Sequence, residues 1–278
     1  MAKGKARSKK YRSASSYFRK FRREGRPVIV AEGDSWFDYP GKITRGRHPE
    51  TDVLDFLALK HGFAVHRESI MGDTLENMVY NTLERQVIDA IEEYEPRYFL
   101  FSGGGNDLVG RRMLDFLVDA EFAREFPLES PPKSPFLEDA FRLFVNTVMK
   151  SAYRLMIRRV QSAKPDIKIY AHGYDYVLPS GKPVIDFGFV GFVGPWILPN
   201  FKKRKIKGKE IQEEIIRSMI NIFNEMLEDL ETEYKGLFYH VDCRGLIKRK
   251  EWANEIHPKK VGYIKIAAKI AEKMKQTA

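Results

Sequence analysis

Apolar residues in this chain fall into two patterns. Short continuous runs, Val28–Ala31, Phe63–Val65, Tyr98–Phe101, Ile167–Ala171 and Leu237–Val241, have the length and β-branched or aromatic content of buried strands. The stretches between them are longer, and in them apolar positions recur every three or four residues, as on one face of a helix. The pattern predicts a helix over roughly 51–61, stopped by Gly62, and another from Thr74 to about 93, stopped by Pro96. A third is expected to open at Ser134-Pro135, with proline at its first position, and to run to about 162. A long amphipathic helix follows at about 209–233, and a last one runs from near Pro258 almost to the C-terminus. Residues 107–134 are expected to hold one or two short helices.

Strands alternating with helices imply a parallel sheet covered on both faces, a three-layer α/β/α sandwich with right-handed crossovers. In such sheets, sites form at the carboxyl ends of the strands. The polar and glycine-rich residues fall there: Gly33-Asp34-Ser35, Gly72, Gly104-Gly105-Asn106-Asp107 and His172. One segment breaks the alternation. Residues 178–207 read as an irregular insertion, with glycine at 188, 191 and 194 and proline at 195 and 199 among seven large apolar side chains. It is either a loop folded onto the core or a mobile apolar flap.

Length and composition narrow the class. A chain of 278 residues, 43% hydrophobic, suffices for one large domain. No run reaches the roughly 18 apolar residues of a membrane span, and the basic N-terminus has no apolar stretch behind it. One cysteine, Cys243, excludes an internal disulfide framework and reads as a small buried side chain at a strand end. A cytoplasmic location is expected. The charge of +10 is concentrated in residues 1–26, which hold eleven Lys/Arg against Glu24, so that residues 27–278 are neutral as a whole. The division is thus a basic arm, 1–26, and a neutral domain, 27–278. Such an arm attracts polyanions or simply aids solubility. Six further basic residues between 202 and 209 follow the apolar insertion, so residues 184–209 and the arm together suit an anionic membrane surface, with the protein peripheral there. Tyr11, Tyr17, Phe18 and Phe21 interleave the arm's charges, which is compatible with stacking on nucleic-acid bases or with seating the arm on the protein.

The candidate chemistry is that of a hydrolytic serine, which needs a base, a group to orient the base, and donors for an oxyanion. Ser35 sits where the first strand leaves the sheet. Gly72 follows the second strand and offers a backbone N–H, and Asn106 follows the third with a side-chain amide. His257 lies in Asn254-Glu255-Ile256-His257-Pro258, at the entrance to the last helix. Each piece alone is weak, but their joint order is specific. His48, His61, His66 and His240 show no metal-ligand spacing, and this chemistry calls for no cofactor.

This ordered set resembles the SGNH (GDSL-type) hydrolases, whose pattern is Gly-Asp-Ser after strand one, glycine after strand two, Gly-x-Asn-Asp after strand three and Asp-x-x-His before the last helix. The resemblance spans roughly residues 27–275 and implies a flavodoxin-like sandwich on a five-stranded sheet. It further implies Ser35 as nucleophile, His257 as base and then acid, and the Ser35 and Gly72 N–H groups with the Asn106 side chain as oxyanion donors. Asp34, Asp107 and His172 are candidates to line the pocket. Two positions depart from the pattern. Trp36 replaces a leucine, with an expected effect on local packing only. Asn254 stands where the family has aspartate, so that either the amide oxygen or a backbone carbonyl orients His257, or activity is reduced. Glu255 is expected to point elsewhere. The expected substrate is a lipid or lipid-like ester, cleaved through an acyl-enzyme. The alternatives are O-acetyl groups on carbohydrate, and a non-catalytic module whose arm binds nucleic acid.

Overall fold

A computed structural model describes residues 17–39, 51–121, 123, 135–186 and 192–277. Five strands form the main sheet: β1 (Val28–Gly33), β2 (Ala64–Arg67), β3 (Tyr98–Ser102), β4 (Lys168–His172) and β7 (Phe238–Val241). Their order is β2-β1-β3-β4-β7, and every pairing is parallel. β1 and β3 are buried along nearly their whole length, which is why they read as unbroken apolar runs.

Helices cover both faces. On one lie α2 (Val53–Lys60) and α8 (Lys260–Gln276), packed on each other. Asp52 caps α2 by accepting from the Asp55 N–H. The other face carries α3, α5 and α7. Helix α3 is one run of Leu75–Asn77, a π-wound Met78–Val87 and Ile88–Tyr94, opened by the Thr74 side chain and closed by Glu95 in the left-handed region. Helix α5 joins Glu138–Phe144, Val145–Met149 and Lys150–Ala163, and α7 is Lys209–Glu233. Short pieces, α4 (Gly105–Leu108) and a 3₁₀ turn (Gly110–Phe116), follow β3. Cys243 is buried two residues past β7.

The structure departs from the sequence reading at three places. Helix α5 begins at Glu138, three residues beyond Pro135; Phe136 instead forms an antiparallel bridge with Leu117, with the Val118 N–H donating to the Pro135 carbonyl and the Leu137 N–H to that of Phe116, and packs on Phe141. Ser134 lies outside the described residues. The basic segment is not wholly an arm. Residues 17–23 are helical (α1), with Phe18 and Phe21 buried and Phe18 edge-on to His66 of β2 and to Tyr94. The aromatic residues thus seat this stretch over the sheet's edge strand, where open backbone groups are a liability. Tyr11 and the rest of residues 1–16 lie outside the described residues.

The insertion is the third departure. It contains a two-stranded antiparallel ladder, β5 (Ile185–Asp186) with β6 (Phe192–Val193), and a short helix α6 (Leu198–Lys203) with proline in its first turn. Ile197, Phe201 and Ile206 are buried in the main core, so residues 194–206 are a folded-down loop. One side chain fastens it. The fully buried Glu255 carboxylate accepts from the backbone N–H groups of Gly181, Trp196, Ile197 and Leu198 at 2.7–3.0 Å. Removing a buried acceptor leaves each donor short by about 1–3 kcal/mol. Glu255→Ala should therefore lose roughly 3 kcal/mol or more in denaturant unfolding, and a loss within about 0.5 kcal/mol, the ordinary scatter of surface substitutions, would show that the loop is held otherwise.

Candidate active site

The turn after β1 is built on Asp34. Its N–H donates to the Ser102 carbonyl (3.0 Å), its carbonyl accepts from Phe37 and Asp38, and its Oδ1 accepts from the Trp36 N–H at 3.0 Å. An aspartate closing on the backbone two residues on makes a tight turn, and Ser35 rides at its top, 5% exposed. The second half of the site comes from the other end of the chain. Asn254 Oδ1 accepts from the Ile256 N–H (3.1 Å) and the His257 N–H (2.9 Å), and stands 3.2 Å from His257 Nδ1. His257 Nε2 lies 2.6 Å from Ser35 Oγ.

These contacts set the tautomer. The Asn254 oxygen already accepts two backbone N–H groups, so His257 Nδ1 carries the hydrogen and donates it, leaving Nε2 to accept from the Ser35 hydroxyl. The amide's other end donates to the hydroxyl of Tyr39, whose ring leans on the His257 ring at 4.7 Å. Asn254 thus orients the imidazole through its side chain. It brings no charge, and burial holds His257 far below its ordinary value, at about 3.

Trp36 does more than fill local space. Its indole N–H donates to the Ile256 carbonyl at 3.0 Å, tying the Ser35 turn to the His257 loop across 220 residues of sequence. Its ring stacks on His172 (centroids 5.2 Å apart, 13° between planes) and meets Tyr174 edge-on. Nothing in the local sequence announces this, because the acceptor is a main-chain carbonyl and could lie beside any residue type.

The other candidates are placed as follows. Asn106 borders the same pocket as Ser35, and its amide donates to the Asp73 carbonyl at 2.7 Å. Gly72 has φ +83, a conformation that favours glycine, in a turn closed by Asp73 N–H to Ile70 O. Asp107 accepts from the Leu75 N–H at 2.8 Å, so it joins the loop after β3 to the start of α3 and does not line the pocket. His172 is fully buried behind Trp36 and likewise lies outside the pocket wall; Asp34 is part of that wall.

A pocket of about 390 Å³, part of it open to solvent, is lined by Ser35, Trp36, Asn106, Leu108, Val177 and Ile220 among others. A Cβ on Gly105 would meet the Tyr174 ring at 2.7 Å, so glycine there lets the tyrosine close the pocket's base.

No protein-family model matches the chain, and no curated protein does. Among solved structures the chain is similar to phospholipase A1 from Streptomyces albidoflavus NA297, with a TM-score of 0.52 and 12% identity over 91% of this chain and 100% of that one. It is similar to an extracellular lipase from Streptomyces rimosus (0.51, 13%, 91% and 100%) and to the lipase Lip_vut3 from a goat rumen metagenome (0.52, 14%, 88% and 96%). At such identity the likeness is one of fold, and the three-layer sandwich that the motifs implied is the one the chain adopts.

A histidine held at about 3 is neutral down to acid pH, so any reaction that uses it as a base should keep its rate well below the ordinary histidine value of 6.5. In Asn254→Asp a carboxylate would favour the charged imidazole, raise its pKa and move the acid limb of the pH–rate profile upward. An unmoved limb would remove position 254 from control of the base.

Proposed function

We propose that this protein is a serine ester hydrolase that works through an acyl-enzyme. The observation that carries the reading is the Ser35 hydroxyl at 2.6 Å from the unprotonated Nε2 of an imidazole whose other nitrogen is fixed by Asn254, at the wall of an apolar pocket. In this reaction His257 Nε2 takes the Ser35 proton as Oγ attacks the ester carbonyl. The Ser35 and Gly72 N–H groups and the Asn106 amide receive the oxyanion. The intermediate collapses as the proton on Nε2 passes to the leaving alkoxide, and the same steps with water release the acid and restore Ser35. The imidazolium formed on the way has an amide beside it where a carboxylate would stabilise it, so turnover is modest for such a site.

The pocket speaks to the acyl group. The space it offers a ligand is small, about 40 Å³, and Leu108, Val177 and Ile220 line it together with Ser35. That favours a short acyl chain. The lipid reading drew on the insertion as a flap, and residues 194–206 of it are fastened by Glu255. One observation still favours a longer chain: Ile70 and Met71, on the loop that carries Gly72, are 45% and 39% exposed and offer apolar contact beyond the pocket. An O-acetyl ester on carbohydrate satisfies the pocket equally.

A fluorophosphonate probe should label the wild type and not Ser35→Ala, and labelling of both would place the nucleophile elsewhere. Asn106→Ala should cut kcat by about a hundredfold or more on a short ester, as for loss of one oxyanion donor. Across p-nitrophenyl esters, kcat/KM should be greatest for short acyl chains, and Ile220→Ala should shift the preference toward longer ones. A wild-type maximum at long chains would restore the lipid reading.

A further inference from the structure

Behind the nucleophile lies a set of buried polar groups that the proposed reaction does not use. His172 at the end of β4, Ser102 at the end of β3, Asp34 and Tyr174 are each no more than 4% exposed. They form one chain of contacts. His172 Nδ1 meets the Gly173 carbonyl at 3.1 Å, and His172 Nε2 meets Ser102 Oγ at 2.8 Å. Ser102 Oγ meets Asp34 Oδ1 at 3.0 Å, and the Tyr174 hydroxyl meets Asp34 Oδ2 at 2.5 Å.

Each of these four contacts needs one hydrogen between its heavy atoms. A neutral imidazole supplies one, Ser102 one and Tyr174 one, while an ionised Asp34 supplies none. The chain is one hydrogen short. Its direction follows from the end that has no choice. The Gly173 carbonyl only accepts, so His172 Nδ1 carries a hydrogen. With a neutral ring, Nε2 is then bare and takes the Ser102 hydrogen. The Ser102 oxygen, its hydrogen spent, faces Asp34 Oδ1, which must itself be protonated. The alternative arrangement, a doubly protonated His172 with an ionised Asp34, has the same number of protons and the same zero net charge. Without the extra proton, two lone pairs would face each other in a dry interior, where an unmade hydrogen bond is most costly.

We propose that His172, Ser102, Asp34 and Tyr174 together hold one proton beyond those of a neutral histidine and an ionised aspartate, so that the residue before the nucleophile bears no net negative charge when an oxyanion forms beside it. Burial pushes His172 down to about 4 and Asp34 up to about 6, which places the extra proton on the carboxyl. Three donors, Tyr174, the Trp36 N–H and Ser102, restrain that rise, and directing the Ser102 hydrogen to His172 lifts one restraint. The groups that face the cluster from neighbouring elements are Asp107 of α4, Glu32 of β1, Tyr153 of α5, Tyr263 of α8 and His240 of β7. Burial raises Asp107, Glu32, Tyr153 and Tyr263 and lowers His240, and repulsion from the Asp107 carboxylate adds to the rise at Asp34.

The consequence for rate rests on the ester-hydrolase reading; the proton itself does not. Infrared spectra of the full-length protein test the proton directly. At about pH 5, below the Asp34 value of about 6, the wild type should show a protonated-carboxyl C=O band that shifts in D₂O and is absent from Asp34→Asn. His172→Phe keeps a flat ring against Trp36 and frees the Ser102 hydrogen for Asp34, so in that variant the band should disappear at lower pH than in the wild type. This second comparison carries the test should Asp34→Asn fail to fold. A wild-type spectrum with no such band, or a band that titrates identically in His172→Phe, would overturn the proposal. With a short ester, wild-type kcat should fall at least tenfold on the alkaline side with the midpoint of the band. A band that titrates while kcat stays level would overturn the link to the oxyanion, and a protein without esterase activity would overturn the functional reading while the spectra still decide the proton.

Discussion

The indole of Trp36 holds together what the sheet alone does not. A parallel α/β sheet brings the ends of β1 and β3 side by side by main-chain pairing, so Ser35 and Asn106 share one edge as a matter of topology. The histidine loop belongs to no strand. It reaches Ser35 because the Trp36 N–H donates to the Ile256 carbonyl, one residue before His257, and because Asn254 folds the loop on itself through two backbone N–H groups. The same tryptophan stacks on His172 and borders the pocket beside Ser35, so the positions of Ser35 and His257 and one pocket wall share a single side chain. In hydrolytic sites geometry of this kind is worth more than basicity, since misplacement by about 1 Å can cost a hundredfold.

Dryness is the second theme. Ser35, His257, Asp34 and His172 are all nearly inaccessible. Burial makes every charge in the site costly and every satisfied hydrogen bond strong. His257 is accordingly a neutral imidazole beside a neutral amide, and the Asp34 carboxyl before Ser35 is driven toward its neutral form. Asn254 fits such a site. It supplies the orientation that an aspartate would supply, and it does so without placing an ion in the interior.

Two surface features turn inward. Phe18 and Phe21 of the basic segment cover the edge strand β2, and residues 194–206 of the insertion lie on the core under the grip of Glu255. Glu255 sits between Asn254 and His257, so the stretch that carries His257 also fastens residues 196–198 of the insertion.

Much of this was legible before any coordinates. The five strands, the helices between them and the placing of Ser35, Gly72 and Asn106 after the ends of β1, β2 and β3 follow from apolar periodicity and from turn chemistry, which act over a few residues. At Pro135 a local preference for opening a helix lost to the pairing of Phe136 with Leu117, a partner the local pattern does not carry. The two readings of the arm's aromatic residues stayed open in the sequence for a related reason: for Phe18 they turned on His66 and Tyr94, far along the chain. The tertiary structure alone decided that Trp36 binds Ile256, that Glu255 binds the insertion, and that His172 and Asp107 stand behind the pocket and not in it. Hydrogen bonds to main-chain groups are blind to the identity of the residue that supplies them, so their partners leave no mark in the sequence and appear only once the chain has folded.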